Sequence, residues 1–238
     1  MKVFAAALLI ACFSISVLPQ GQVAGNQQFV RVRSKIVVLK NVRIIDGTGA
    51  PPVGPVDILI EGNRITSLHS GGAPAAVKAR AARTIDARGM HVLPGFVDTH
   101  GHNGDPAKAP NASYGYKLWL AHGVTTVRGV SFYFGQGSPD LEDARRSAAN
   151  TIAAPRLVPY AVFGDKWPNG TPDTPEQARA WVRWIKAADY DGMKFFNGQS
   201  PTVLAAALEE AKAQKLGTVA HLGQMGVARG NAAKATEL

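Results

Sequence analysis

The sequence predicts an α/β chain in which a small β-rich unit leads into about five strand–helix units of a TIM-like (β/α)8 barrel. Three observations predict it. Residues 35–92 carry short β-branched runs separated by turn residues. From Leu93 onward, short apolar strands alternate with stretches of helical period, the pattern of a parallel sheet wound with helices. The 238 residues are 46% hydrophobic and 18% charged, with no low-complexity tract or repeat, which is the composition of a packed domain.

The chain opens on Met1-Lys2, an apolar run over residues 3–18, and Pro19, Gly21 and Ala24. A basic start, an apolar centre and small residues before a cut after Ala24 read as an export signal over residues 1–24. The run falls short of the ~20 residues a membrane span needs. The expected location is therefore periplasmic or extracellular, with no membrane span. Cys12 could be lipidated, but residues 13–18 stay apolar after it, so a lipoprotein is the weaker reading. Cleavage would remove this sole cysteine and leave neither disulfide nor thiol nucleophile.

Residues 25–92 form the next unit. Ile36-Val37-Val38-Leu39 and Val42-Arg43-Ile44-Ile45 read as strands, and Asp46-Gly47-Thr48-Gly49 as a turn. Val56-Asp57-Ile58-Leu59-Ile60 and Ile65-Thr66-Ser67-Leu68 flank Glu61-Gly62-Asn63-Arg64, a hairpin pattern. A further strand falls near Thr84-Ile85-Asp86. This reads as a small antiparallel unit, and an incomplete one.

Residues 93–238 carry the wound part. Its strands are expected at Gly95-Phe96-Val97-Asp98, Val124-Thr125-Thr126-Val127, residues 156–163, Gly192-Met193-Lys194-Phe195-Phe196 and Thr218-Val219-Ala220. Helices are expected over 116–122, ending at Gly123, and over 141–151. Thr174, Pro175 and Gln177 form a capping box for a third, whose apolar face is Ala178, Trp181, Val182, Ile185 and Ala188. Ser200-Pro201 opens a fourth, burying Val203, Leu204, Ala207, Leu208 and Ala211 and ending at Gly217, and another begins near Val227. Five units fall short of the eight of a closed barrel.

Several function classes lack support. Net charge is +9, but the charges are scattered, with no basic block and no stripe with interleaved aromatics, so nucleic acid is not an expected partner. No nucleophile elbow, phosphate-cradling loop or dinucleotide fingerprint occurs. A metal-activated water is then the natural nucleophile.

His100-Gly101-His102 follows the first barrel strand, at the end where barrel active sites lie. Residues two apart on a strand point the same way, so both imidazoles could reach one ion. A lone His-x-His is also a common surface pattern, and the strand-end position after Asp98 is what favours ligands. Lys194 is a charge inside an apolar strand, costly unless paired, neutral or modified. Either it snorkels from the strand end, or it is neutral and carboxylated by CO2, a carbamate able to bridge two metals. His221 ends the fifth strand, one unit later. Alone it would read as structural; with the other three it reads as a ligand. His69, His91 and His122 read as structural or exposed.

The strings Asn41-Val42-Arg43-Ile44-Ile45-Asp46-Gly47, Leu93-Pro94-Gly95-Phe96-Val97-Asp98-Thr99-His100-Gly101-His102 and Gly123-Val124-Thr125-Thr126-Val127-Arg128 resemble the amidohydrolase superfamily. Its imidazolonepropionase-like and Xaa-Pro dipeptidase-like members are the nearest in pattern. The resemblance implies a barrel with a β-sandwich built from both chain ends, and hydrolysis of C–N bonds in an amide, cyclic amide or peptide-like substrate by a metal-bound hydroxide. It implies His100 and His102 on a first metal, Lys194 as a bridging carbamate, His221 on the second, and Asp98 orienting the first histidine from behind. The metals would be two Zn2+, with Fe, Mn or Co as substitutes. Family members add a strand-six histidine and a strand-eight aspartate that this sequence lacks, and Gly129 stands where an acidic residue is expected. The chain is therefore expected to be a truncated, N-terminal part, inactive alone. Two alternatives stand beside the C–N hydrolase: a non-catalytic remnant or exported binding protein on the same scaffold, and a lactone or organophosphate hydrolase. Substrate, metal identity and homo-oligomerisation stay open.

Overall fold

The structure, a computed structural model, describes residues 30, 32–102, 112–130, 140–165, 167–196 and 198–221. The predicted signal, Cys12 and the helix near Val227 lie outside the described residues.

The first sheet is built on β1 (Ile36–Ile44), which pairs antiparallel with β2 (Val53–Glu61), itself hairpinned to β3 (Arg64–Ser70). A short helix, α1 (Ala75–Arg80), then leads to β4 (Arg83–Asp86) and β5 (His91–Val92), both parallel to β1. The sheet is thus mixed rather than antiparallel, because the chain crosses over through α1 instead of turning back in a hairpin. The two runs expected as separate strands are one strand. Asn41 takes φ 59 between them, and the register with β2 shifts there. Its backbone N–H donates to Asp57 and its side-chain amide to Asp86, which ties the irregularity to both neighbours. Burial alone would raise the Asp57 pKa; the N–H groups of Ala73 and Asn41 outweigh it and hold the carboxylate below the ordinary range. Val42, Val56 and Ile58 bury the apolar side of this sheet.

The second sheet is parallel throughout, with its strands side by side in chain order: β6 (Phe96–Gly101), β7 (Val124–Val130), β8 (Arg156–Val162), β9 (Gly192–Phe196) and β10 (Gly217–His221). Four helices intervene: α2 (Ala112–Ala121), α3 (Asp140–Ala148), α4 (Pro175–Ala187) and α5 (Pro201–Ala213). This is a curled half-barrel, as the alternation in the sequence predicts. Gly217 opens β10 rather than ending α5. The turn is made instead at Lys215, at φ 56, and the absent side chain at 217 leaves room for the Tyr160 ring.

The largest core lies between this sheet and α4 and α5. Ala161, Phe163, Met193 and Phe195 point from β8 and β9 and from the end of β8 into Ala178, Trp181, Val182, Ile185, Val203 and Ala207. Phe163 meets Trp181 edge-on and Phe195 at a tilt, with ring centroids 5.0 Å apart in each pair. Both capped helices start where their sequences say. Thr174 accepts from the Gln177 N–H at 3.2 Å, and Ser200 from the Val203 N–H at 3.4 Å. The Gln177 side chain reaches back one residue further than a capping box requires, to the Asp173 N–H. Thr174→Ala is expected to cost about 1 kcal/mol. Chemical denaturation should show a lower midpoint with an unchanged slope.

Candidate metal centre

Alternation on β9 sorts the two faces of the sheet. Met193 and Phe195 enter the core under the helices, so Gly192, Lys194 and Phe196 face the concave side. In register with them lie Val162 and Tyr160 of β8 and Val219, Gly217 and His221 of β10. Tyr160 packs against the glycine pair: a Cβ at Gly192 or Gly217 would sit 2.5 or 1.8 Å from the tyrosine's side chain. Arg128 of β7 places its guanidinium 5.4 Å from the centre of that ring.

β6 departs from regular pairing where the His-x-His string begins. Asp98 pairs with Val127 and Gly101 with Gly129, so β6 carries one residue more than β7 over this stretch. Such bulges re-aim side chains and leave a peptide unit out of the ladder. Here it is the peptide between Thr99 and His100. Its carbonyl accepts from Arg128 Nε at 2.7 Å, and its N–H donates to Asp98 Oδ1 at 3.0 Å. The other Asp98 oxygen accepts from the Trp119 indole N–H at 3.2 Å. Asp98 therefore holds the backbone at His100 and the indole of α2.

The strand end brings the His100 and His102 rings to 5.1 Å between centroids. His100 lies on β6 itself and His102 directly after it. Lys194 is 1% exposed, with its Nζ 5.9 Å from the centre of the Phe196 ring. Phe196 in turn is 5.0 Å from the His221 ring, so its ring neighbours both the lysine and the histidine. Among the described residues no carboxylate pairs with the Lys194 amine, and the side chain is shielded from solvent. His69 bonds Ser67, His122 bonds the Leu118 carbonyl and His91 opens β5, all away from this face.

The electrostatics favour neutral nitrogen. Burial, and then the Arg128 charge, hold the Lys194 amine below the ordinary lysine range. Partial desolvation of its ring, then the positive charges of Lys194, His102 and Arg128, lower the His100 pKa against the opposing pull of Asp98. Metal ligands must be deprotonated, so these shifts move both groups toward the form that binds an ion. Among the described residues no three His, Cys, Asp or Glu side chains gather closely enough to hold a metal alone. Two imidazoles and an amine of lowered basicity are donor types that suit a divalent metal.

Sequence reasoning missed Arg128, Trp119 and Tyr160. Arg128 was visible as a charge ending an apolar strand, the signal that singled out Lys194. The role of Trp119 depends on which turn of α2 meets β6, and no local pattern carries that.

No family profile matches the chain. A dihydroorotase of Thermus aquaticus is 34% identical over 73 residues, 31% of this chain and 15% of that protein. An N-acyl-D-aspartate deacylase of Alcaligenes xylosoxydans xylosoxydans is 28% identical over 147 residues, 58% of this chain and 26% of that protein. In fold, the chain is similar to a Xaa-Pro dipeptidase with methionine in its active site, at a TM-score of 0.65 and 21% identity, over 82% of this chain and 58% of that one. The matches thus span about a quarter or less of these two curated relatives and under two thirds of the solved neighbour. The chain is thus similar in part of its sequence to a dihydroorotase and an N-acyl-D-aspartate deacylase, and in fold to a Xaa-Pro dipeptidase. These relatives are hydrolases acting on C–N bonds.

Proposed function

We propose that this chain supplies the His-x-His and lysine side of a divalent-metal site in an exported hydrolase of amide, cyclic amide or peptide-like C–N bonds. The observation that carries the reading is Lys194: a buried amine with no carboxylate partner among the described residues, on the same face as a histidine pair. Such a group is costly unless it is neutral or modified.

His100 and His102 would hold a first ion. Lys194 would hold it jointly with a second after its lone pair attacks CO2, forming an N–C bond and releasing a proton. His221 would complete the second ion's share from this chain. Nitrogen and carbamate-oxygen donors suit Zn2+, with Fe, Mn or Co as substitutes. A metal held there supplies Lewis acidity and an acidified water. Arg128 and Tyr160 line the floor beneath, and small substrates enter from the strand C-terminal end. Residues 1–24 act as the export signal, 25–92 as part of the sandwich and 93–238 as the barrel portion, working in the periplasm or outside the cell.

Metal uptake by the purified chain tests this directly. In bicarbonate buffer, Zn2+ is expected to bind, more weakly once CO2 is removed, and at least tenfold more weakly in His100→Ala. Zinc affinity indifferent to His100→Ala would overturn the reading.

A further inference from the structure

The bulge in β6 makes the position of His100 depend on side chains outside the ligand set. The peptide between Thr99 and His100 has no ladder partner for either polar group, and both are met by side chains: Arg128 Nε on the carbonyl and Asp98 Oδ1 on the N–H. Asp98 is itself held by the Trp119 indole. Trp119 is not free to drift. Its ring stacks on Tyr116 at 6.3 Å between centroids, and Tyr116, 2% exposed, donates its hydroxyl to Asp143 of α3 at 2.9 Å. Arg146 holds the other Asp143 oxygen at 3.0 Å. On the side of the same indole, Gly101 lies so close to Val127 and Trp119 that a Cβ there would stand 2.4 Å and 3.0 Å from them.

From this geometry we propose that Trp119 and Arg128 are positioning residues for the His100/His102 pair, gripping one peptide unit from opposite sides. Trp119 acts through Asp98, and Arg128 acts on the carbonyl directly. Neither touches the ion; both fix the backbone from which the two imidazoles project. Groups that orient ligands in this way typically contribute 10- to 100-fold in metal affinity. A peptide released from both partners would leave its histidine to sample several orientations, and the ion would bind only a fraction of them.

The inference rests on the metal reading, so its test has one arm that needs no metal. Trp119→Phe keeps the ring and loses the donor; Arg128→Lys keeps the charge and loses the Nε geometry. In the full chain without metal, each is expected to speed hydrogen exchange at the His100 amide relative to amides in β8 and β9. In zinc titrations, each is expected to raise the dissociation constant roughly ten- to a hundredfold. A double-mutant cycle of Trp119→Phe with Asp98→Ala is expected to be strongly non-additive, since the indole works through that carboxylate. Unchanged exchange at His100 in both variants overturns the grip, whatever zinc does. Additive losses in the cycle overturn the route through Asp98 and leave Trp119 a packing residue. A wild-type chain that takes up no zinc overturns the metal reading instead, and the exchange arm then still decides whether the peptide is held.

Discussion

Lys194→Met should make the metal-free protein more stable and at the same time unable to bind a second ion. The native amine is buried with Arg128 as its charged neighbour, and both circumstances oppose its protonation. In the unfolded chain the same amine titrates near 10.5. Between its lowered folded pKa and 10.5, the unfolded state binds a proton that the folded state does not. Stability therefore rises with pH across that window and is lowest below it. Methionine keeps the length of the side chain and removes the penalty. We expect a gain of about 1–2 kcal/mol at neutral pH, shrinking toward zero as the pH approaches 10.5, because unpaired buried polar groups cost amounts of that order. Thermal unfolding at several pH values measures it. The same variant should lose the CO2 dependence of zinc binding. A Lys194→Met protein less stable than wild type at neutral pH would mean that the amine has a stabilising partner.

Gly192→Ala should be the most damaging single methyl group on the concave face. The new Cβ would lie 2.4 Å from the Gly217 carbonyl oxygen and 2.5 Å from the Tyr160 ring. The ring can rotate away, but the carbonyl belongs to the neighbouring strand. Relief therefore requires β9 and β10 to part at the first rung of their ladder, where Gly192 and Gly217 pair. Overpacking of a closed site typically costs about 1–3 kcal/mol. Parting the strands also shifts Lys194, two residues on and facing the same way. We expect a destabilised protein with weaker zinc binding, whereas Gly170→Ala or Gly198→Ala, where a Cβ meets nothing within 4 Å, should lose only the roughly 1–2 kcal/mol of left-handed backbone strain and leave zinc binding unchanged. Equal stability of Gly192→Ala and wild type would show that Tyr160 is not seated as described.

The alternating part of the fold was legible because each helix carries its own punctuation. Thr174-Pro175 and Ser200-Pro201 mark helix starts by hydrogen-bonding chemistry that needs no tertiary context. The β-rich unit was less legible. Nothing local distinguishes Asn41 as the middle of one strand from a break between two, since its conformation is held by Asp57 and Asp86, far along the chain. Lys194 and the histidine pair stood out as chemistry in apolar company. The bulge did not, because pairing irregularities arise from how two strands meet rather than from either alone. Asp98 is visible in the sequence beside the histidine pair, while its bond to the Trp119 indole depends on how β6 and α2 meet.

The five strands of the second sheet lie in the order in which they are synthesised, each bonded to the one before it. No strand has to wait for a distant stretch of chain or insert between two already paired. The longest closure at any step is the length of one helix and its loops, and the entropy lost in closing a loop grows only slowly with its length. Growth along such a path is vectorial. Each new strand finds its template already laid down, and a chain leaving a ribosome or a secretion pore one end first can assemble its half-barrel in the order of its emergence.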